Sequence, residues 1–360
     1  MTVLGIITFV VLATYLLFQF MLRQSPPPPP IHLLNCFCGL LFPDTHRGRP
    51  TPAPSLSSEL RYPEVQRPPN TANLHGEIEW LEDGTEATHW YAQAADVTFH
   101  FVTAGNPANT PVVMLHGLPE SWWAFHHQIS DLARDHYVIA LDCKGYGQSD
   151  KRIELDYYAG TQAEEVAALL DHLGVDHFML VAHDRGAVIA DHMTSVPALA
   201  GRIARYVRMQ QSFNEPHGEP APPHDLFATK MGEANFKSPF IIDMIYDRVM
   251  QAGLTPSTKR RLSYEFKFEG VAEAVRRYFG QNNFRIEMQD RQDKLFASMT
   301  MPLLILQGKY DPGQHMEEYA HSADYASDLS VQFVEANHFA HIENPRVVNA
   351  AIRRFITTSD

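Results

Sequence analysis

Phe178-Met179-Leu180-Val181-Ala182-His183-Asp184-Arg185-Gly186-Ala187-Val188-Ile189-Ala190 is the stretch on which the fold turns. The apolar run Phe178–Ala182 predicts a buried strand, and Arg185–Val196, stopped by Pro197, predicts a helix. Almost nothing separates the two. Ala182 and Gly186 place small residues two before and two after Asp184. That spacing lets a strand turn sharply into a helix and lift the central side chain clear of the turn. The plainer alternative is that Asp184 only caps the helix beginning at Arg185.

Outward from this segment, strand-like and helix-like stretches alternate from about Glu77 onward, the pattern of βαβ units and a parallel sheet. Val97–Val102, Pro111–Leu115, Tyr137–Leu141, Ile203–Met209, Leu303–Leu306 and Val331–Val334 read as strands. Ser121–Arg134, with Ser121 as N-cap, Thr161–Leu173, closed by Gly174, and Pro345–Ile356 read as helices. The alternation breaks over residues 212–297, which carry helical patterning rich in Phe, Tyr, Met and Arg and no evident strand. The expected organisation is a core of residues 77–211 and 298–360 with a helical cap of residues 212–297 inserted into it.

Three further segments bring chemistry to the turn. His116-Gly117-Leu118-Pro119 follows the Pro111–Leu115 strand, at the carboxyl edge where such sheets bind ligands. The backbone N–H groups of Leu118 and Arg185 are candidates for an oxyanion hole. Asp311 follows the Leu303–Leu306 strand, and His338 follows Val331–Val334. The chain order is therefore nucleophile, acid, histidine. His341 competes with His338, and Glu215, after the strand ending near Met209, is a second candidate for the acid. A carboxylate nucleophile needs no proton removed before it attacks. It suits displacement at a saturated carbon, leaving an ester that a histidine-activated water hydrolyses. Epoxides and organohalides fit that chemistry.

His116-Gly117-Leu118-Pro119-Glu120-Ser121-Trp122 and Asp142-Cys143-Lys144-Gly145-Tyr146-Gly147-Gln148-Ser149 resemble the soluble epoxide hydrolases of the α/β-hydrolase superfamily. The resemblance covers roughly residues 95–200 and 300–345. It implies an α/β-hydrolase fold, with an eight-stranded, mostly parallel sheet and a helical cap inserted after strand six. It also implies Asp184, Asp311 and His338 as the catalytic set, and cap tyrosines that protonate the opening oxygen. Tyr278, in Arg276-Arg277-Tyr278-Phe279, and Tyr246 are the candidates, with Trp122 a candidate for the pocket wall. The turn itself, His183-Asp184-Arg185-Gly186, is similar to the haloacetate dehalogenases, in which that Arg and a second one three residues on grip a substrate carboxylate. Here the second position is Val188. Epoxide hydrolysis is the leading expectation, haloacid dehalogenation the alternative. A ligand-binding protein without turnover on the same fold is the third reading.

The N-terminus has a different character. Val3–Leu22 is a nearly unbroken apolar run of about 20 residues, enough for one membrane-spanning helix. The absence of a basic n-region favours an anchor, residues 1–24, over a cleaved signal. Arg23 points the catalytic part to the cytosol. Residues 25–76, with Pro26–Pro30, a short apolar patch and more proline, read as a linker in which Cys36 and Cys38 are candidate S-acylation sites. With Cys143 they are the chain's three cysteines, too few for a disulfide framework. The net charge of -13 excludes the basic face of a nucleic-acid binder. No metal or organic cofactor is implied, and the sequence sets no oligomeric state.

Overall fold

The structure, a computed structural model, is described for residues 61–357 except 212, 214–222, 251–253, 265, 267, 315, 320–321 and 327. The expected anchor, most of the linker, Cys36, Cys38 and Glu215 lie outside the described residues. Among the described residues no helix is long and apolar enough to cross a membrane.

Among the described residues nine strands form one sheet: β1 (Ile78–Trp80), β2 (Glu86–Ala94), β3 (Val97–Ala104), β4 (Pro111–Leu115), β5 (Tyr137–Leu141), β6 (Phe178–His183), β7 (Ile203–Met209), β8 (Leu303–Gly308) and β9 (Leu329–Val334). Their order is β1-β2-β3-β5-β4-β6-β7-β8-β9. β1, β2 and β3 are antiparallel to their neighbours, and the sheet from β5 to β9 is parallel. The expected count of eight is corrected to nine, because the three-residue β1 pairs with β2 at the sheet edge. β2 itself escapes sequence reading because its buried face carries a histidine: His89 is fully buried and shares a 2.9 Å hydrogen bond with His100 of β3. β4 and β5 are continuous apolar runs covered on both faces, as central parallel strands require.

The helices cover these faces. A 3-10 turn at Trp122–Phe125, capped by Ser121, whose Oγ accepts from Trp123 N, leads into α1 (His126–Leu132). α2 (Ala159–His172) follows β5, and α3 (Arg185–Met193) starts directly after β6. Between β7 and β8 the described residues include the helices α4 (Pro223–Phe227), α5 (Lys230–Phe236), α6 (Pro239–Val249), α7 (Pro256–Tyr264), α8 (Val271–Gln281) and α9 (Phe284–Asp290). α9 runs on through a π-helical turn at Arg291–Leu295. α10 (Ala340–Glu343) and α11 (Pro345–Thr357) close the chain.

A buried ionic knot ties this helical segment to the sheet. Asp191 of α3 accepts from Arg208 of β7 through both carboxylate oxygens, at 2.9 Å each, and from Arg291 Nε at 3.4 Å. All three side chains are buried. Removing one partner of such a knot leaves uncompensated charge in the interior. Asp191→Ala would strand two guanidiniums, and a loss of about 3–5 kcal/mol is expected. Thermal and denaturant unfolding of the purified variant would measure it.

Candidate active site

Asp184 occupies the turn between β6 and α3 with φ 46° and ψ -117°, a conformation that L residues rarely adopt. Such backbone strain costs roughly 1–3 kcal/mol and persists only where the surroundings enforce it. Two glycines make the turn possible. A Cβ on Gly186 would lie 2.3 Å from the Leu115 carbonyl oxygen and 2.5 Å from that of His116. A Cβ on Gly117 would lie 2.6 Å from Asp184 Cβ. The Asp184 side chain makes no capping bond to α3, so the plain helix-cap alternative does not describe it. Instead Leu118 N donates to Asp184 Oδ2 at 3.0 Å. Leu118 and Pro119 are joined by a cis peptide. Burial works against this carboxylate's charge, but Arg185, His338, His183 and the Leu118 N–H hold its pKa below the ordinary aspartate value.

The ends of β8 and β9 bring the other two predicted residues to it. His338 Nδ1 donates to Asp311 Oδ2 at 2.8 Å, and His338 Nε2 lies 3.8 Å from Asp184 Oδ1. Asp311 is further held by Gly313 N at 2.9 Å and by Gln307 Nε2 at 3.3 Å. Burial opposes the His338 imidazolium, yet the Asp311 carboxylate, its hydrogen bond and Asp184 outweigh it and push the pKa up to about 9. The two oxygens of Asp184 thus face different surroundings: Oδ2 a backbone donor, Oδ1 an imidazole.

Beneath this set lies a cluster that sequence reading missed. Glu120 Oε2 accepts from Gly117 N and from His183 Nδ1, both at 2.8 Å. His183 Nε2 faces the His338 carbonyl oxygen at 3.0 Å. His341 Nε2 approaches Glu120 Oε1 at 3.1 Å. Glu120, His183 and His341 are all fully buried, and their ligand atoms lie close enough to chelate an ion. Both His183 nitrogens and Glu120 Oε2 are already engaged by hydrogen bonds, so the cluster is a clamp joining the Gly117 loop, the turn and the His338 loop. His341 belongs to that clamp and not to Asp311. The signal for Glu120 was its place in the His116–Trp122 motif.

The helical segment covers the site with a mixed polar and aromatic surface. Arg185 Nε lies 3.4 Å from Asp184 Oδ1, Nη1 donates to Glu287 Oε1 at 2.6 Å, and Nη2 donates to Gln211 Oε1 at 2.5 Å. Tyr278 of α8 is buried with its hydroxyl unpartnered, as is Tyr146 of the glycine-flanked loop after β5. Burial pushes both phenol pKa values up, and the Asp184 charge adds to the shift at each. His224, tilted against Phe279 with ring centroids 5.2 Å apart, is held neutral by burial and by Arg185, its pKa lowered to about 3. Tyr246 instead donates to the Pro119 carbonyl oxygen at 2.7 Å, so its hydroxyl braces the Leu118 loop. Trp122 packs edge-on against His89 and under Arg261, at 5.3 and 5.4 Å, contacts that make it part of the scaffold around β2. Tyr146, set between Gly145 and Gly147 in the quoted motif, is a buried tyrosine that sequence reading did not single out.

A mostly parallel sheet with a sharp strand-to-helix turn presenting Asp184, and an acid and a histidine on two later loops, defines a hydrolase-type architecture. The chain belongs to the alpha/beta hydrolase fold family, whose profile matches residues 110–345. Over 113 residues it is 34% identical to Epoxide hydrolase 4 of Mus musculus, a match covering 31% of this chain and 32% of that protein. Over 106 residues it is 39% identical to the Soluble epoxide hydrolase of Corynebacterium sp. (strain C12), covering 29% and 36%. These matches span about a third of the length of the curated relatives. Among solved structures, Cfl2 from Burkholderia cenocepacia superposes with a TM-score of 0.68 at 21% identity over 77% of this chain and 98% of that one, a likeness of fold.

Gly186→Ala tests whether the turn needs its clearance. The added methyl meets two backbone carbonyls that cannot rotate away, so the variant should lose about 2 kcal/mol or more of stability. Differential scanning calorimetry beside the Ala187→Gly control would show it.

Proposed function

We propose that the protein is an epoxide hydrolase that works through an ester on Asp184, with residues 77–211 and 298–360 as the catalytic core and 212–297 as its cap. The observation that carries the reading is the position of the Asp184 carboxylate, with Oδ2 on the Leu118 N–H and Oδ1 toward the imidazole of the Asp311–His338 pair. The names of the matched relatives support the same substrate class.

In this reading Oδ1 attacks one carbon of the epoxide ring and the C–O bond on that carbon breaks. The opening oxygen takes a proton from the Tyr278 hydroxyl, with Tyr146 as its neighbour; burial keeps both phenols protonated until that moment. The product is an alkyl ester of Asp184. His338 then removes a proton from water, which adds to the ester carbonyl carbon. The negative charge that develops on Oδ2 already has a donor in Leu118 N–H, with Arg185 N–H as its proposed partner. Collapse of this intermediate breaks the bond between Cγ and Oδ1. The alkoxide on Oδ1 leaves with the proton held by His338, and the proton of the added hydroxyl returns to the Tyr278 phenolate. The diol is released, and the carboxylate, the phenol and the neutral imidazole are restored.

Haloacid dehalogenation is the second reading, and Arg185 weighs against it. Its guanidinium is already matched by Glu287, Gln211 and Asp184, and the position of the second gripping cation holds the buried, apolar Val188. The run Val3–Leu22 supports attachment of the enzyme to a membrane through its N-terminal segment, with Arg23 supporting a cytosolic catalytic part.

His338→Gln should block the second half-reaction only. Offered a mixture of epoxides and haloacids, it should gain the mass of a whole epoxide on a peptide containing Asp184, and Asp184→Asn should gain nothing. A gain equal to a haloacid less hydrogen halide would replace this reading with the second one.

The wild-type enzyme should show the same ester as a function of pH. His338 is an imidazolium below about 9 in the resting state, and esterification removes the Asp184 charge that helps to hold that proton. As pH falls the neutral base becomes rarer while Asp184, its pKa depressed, remains ionised. De-esterification should therefore slow before alkylation does, and acid-quenched samples should carry more alkyl-enzyme at lower pH. Intact mass spectrometry of quenched reactions reads this directly.

A further inference from the structure

Arg185 places a buried cation beside the proposed nucleophile, and an unmatched cation there would draw an anionic substrate group. It is matched from the cap. Glu287 of α9 is itself buried and takes Arg185 Nη1 at 2.6 Å, while Gln211 takes Nη2 at 2.5 Å. The Arg185–Glu287 pair therefore adds no net charge next to Asp184. Glu287 has a second feature. Its other oxygen, Oε2, is buried and accepts no hydrogen bond. A buried carboxylate oxygen without a donor is costly, and a ligand that brings a donor relieves that cost. The unpartnered hydroxyls of Tyr278 and Tyr146 belong to the same buried neighbourhood.

Resting on the epoxide reading, we infer that Glu287 is the specificity-determining residue of this site. It cancels the charge of Arg185, so that carboxylate-bearing substrates are rejected. Its free oxygen accepts a hydrogen bond from a hydroxyl or N–H on the substituent of a neutral epoxide. An incoming carboxylate would meet two like charges, Glu287 and Asp184, and an Arg185 already paired with Glu287, while Arg291 is shared between Asp191 and Glu287; a neutral donor would meet an acceptor. A neutral epoxide lacking the donor leaves Oε2 as unpartnered as before.

The test uses the full chain and three probes of nearly equal size: glycidol, methyl glycidyl ether and glycidate. The wild-type enzyme should favour glycidol over methyl glycidyl ether by at least about tenfold in kcat/KM and turn glycidate over hardly at all. Glu287→Gln keeps the shape but removes the charge and frees Arg185. Its ratio of kcat/KM for glycidate over glycidol should rise by at least about tenfold, and Glu287→Asp should keep the wild-type rejection. Equal rates on glycidol and glycidate in the wild type overturn the inference, and that comparison decides the matter if Glu287→Gln does not fold. An unchanged ratio in folded Glu287→Gln also overturns it, leaving epoxide hydrolysis intact. If no epoxide is turned over, the epoxide reading fails on its own, and calorimetric titration with propionate and propionamide takes over. Propionate binding gained by Glu287→Gln and absent in the wild type then supports the charge-matching role, and no gain removes it.

Discussion

A single carboxylate is held at φ 46° where β6 gives way to α3, and the surrounding structure is arranged to make that tolerable. The strain demands that two neighbouring positions carry no side chain, and Gly117, in the loop after β4, and Gly186, in the first turn of α3, meet that demand. The same closeness brings Leu118 N within hydrogen-bond distance of Oδ2. Asp184 N is in turn bonded to the Met209 carbonyl oxygen, which fixes the turn to the end of β7. Strain, clearance and the backbone donor are thus one feature. Relaxing the turn would withdraw the carboxylate from its donor.

The second constraint is charge. Asp184, Arg185, Glu287, Asp311, His338 and Glu120 lie in one continuous region, nearly all of them buried. Buried charges are tolerable only in matched sets. Asp311 matches His338, Glu287 matches Arg185, and Glu120 faces His183 and His341. Two of the matching groups, Glu287 and Arg291, come from the segment between β7 and β8, and Arg291 reaches Asp191 on the helix that follows the turn. Docking of that segment therefore completes the electrostatics of α3 as well as covering it.

The sequence showed the turn through Ala182 and Gly186, and chain order alone picked Asp311 and His338 out of a protein with nineteen histidines. These were legible because each sits at a fixed offset from an apolar strand, and strands announce themselves by composition. Glu287 and the Glu120–His183–His341 clamp were not legible in their roles. Their meaning comes from contacts across long separations, 102 residues between Arg185 and Glu287, which no local pattern encodes. Strand β2 was lost for the opposite reason. Its buried histidine reads as polar until the stacked ring of His100 beside it is known.

Arg185 shows how far a residue's identity can mislead when its partner is unknown. Beside a nucleophilic Asp, an Arg resembles half of a carboxylate grip, and the turn sequence alone favours an acidic substrate. Glu287 reverses that inference without changing Arg185 itself, because an arginine in a buried ion pair no longer offers a free charge. The fold is shared by many chemistries and does not choose among them. The choice lies in who neutralises the cation next to the nucleophile. In this chain the neutralising group arrives from a helix inserted between two sheet strands. On the proposed reading the insertion therefore sets the substrate class, while the sheet supplies the Asp184 carboxylate, its backbone donor and His338.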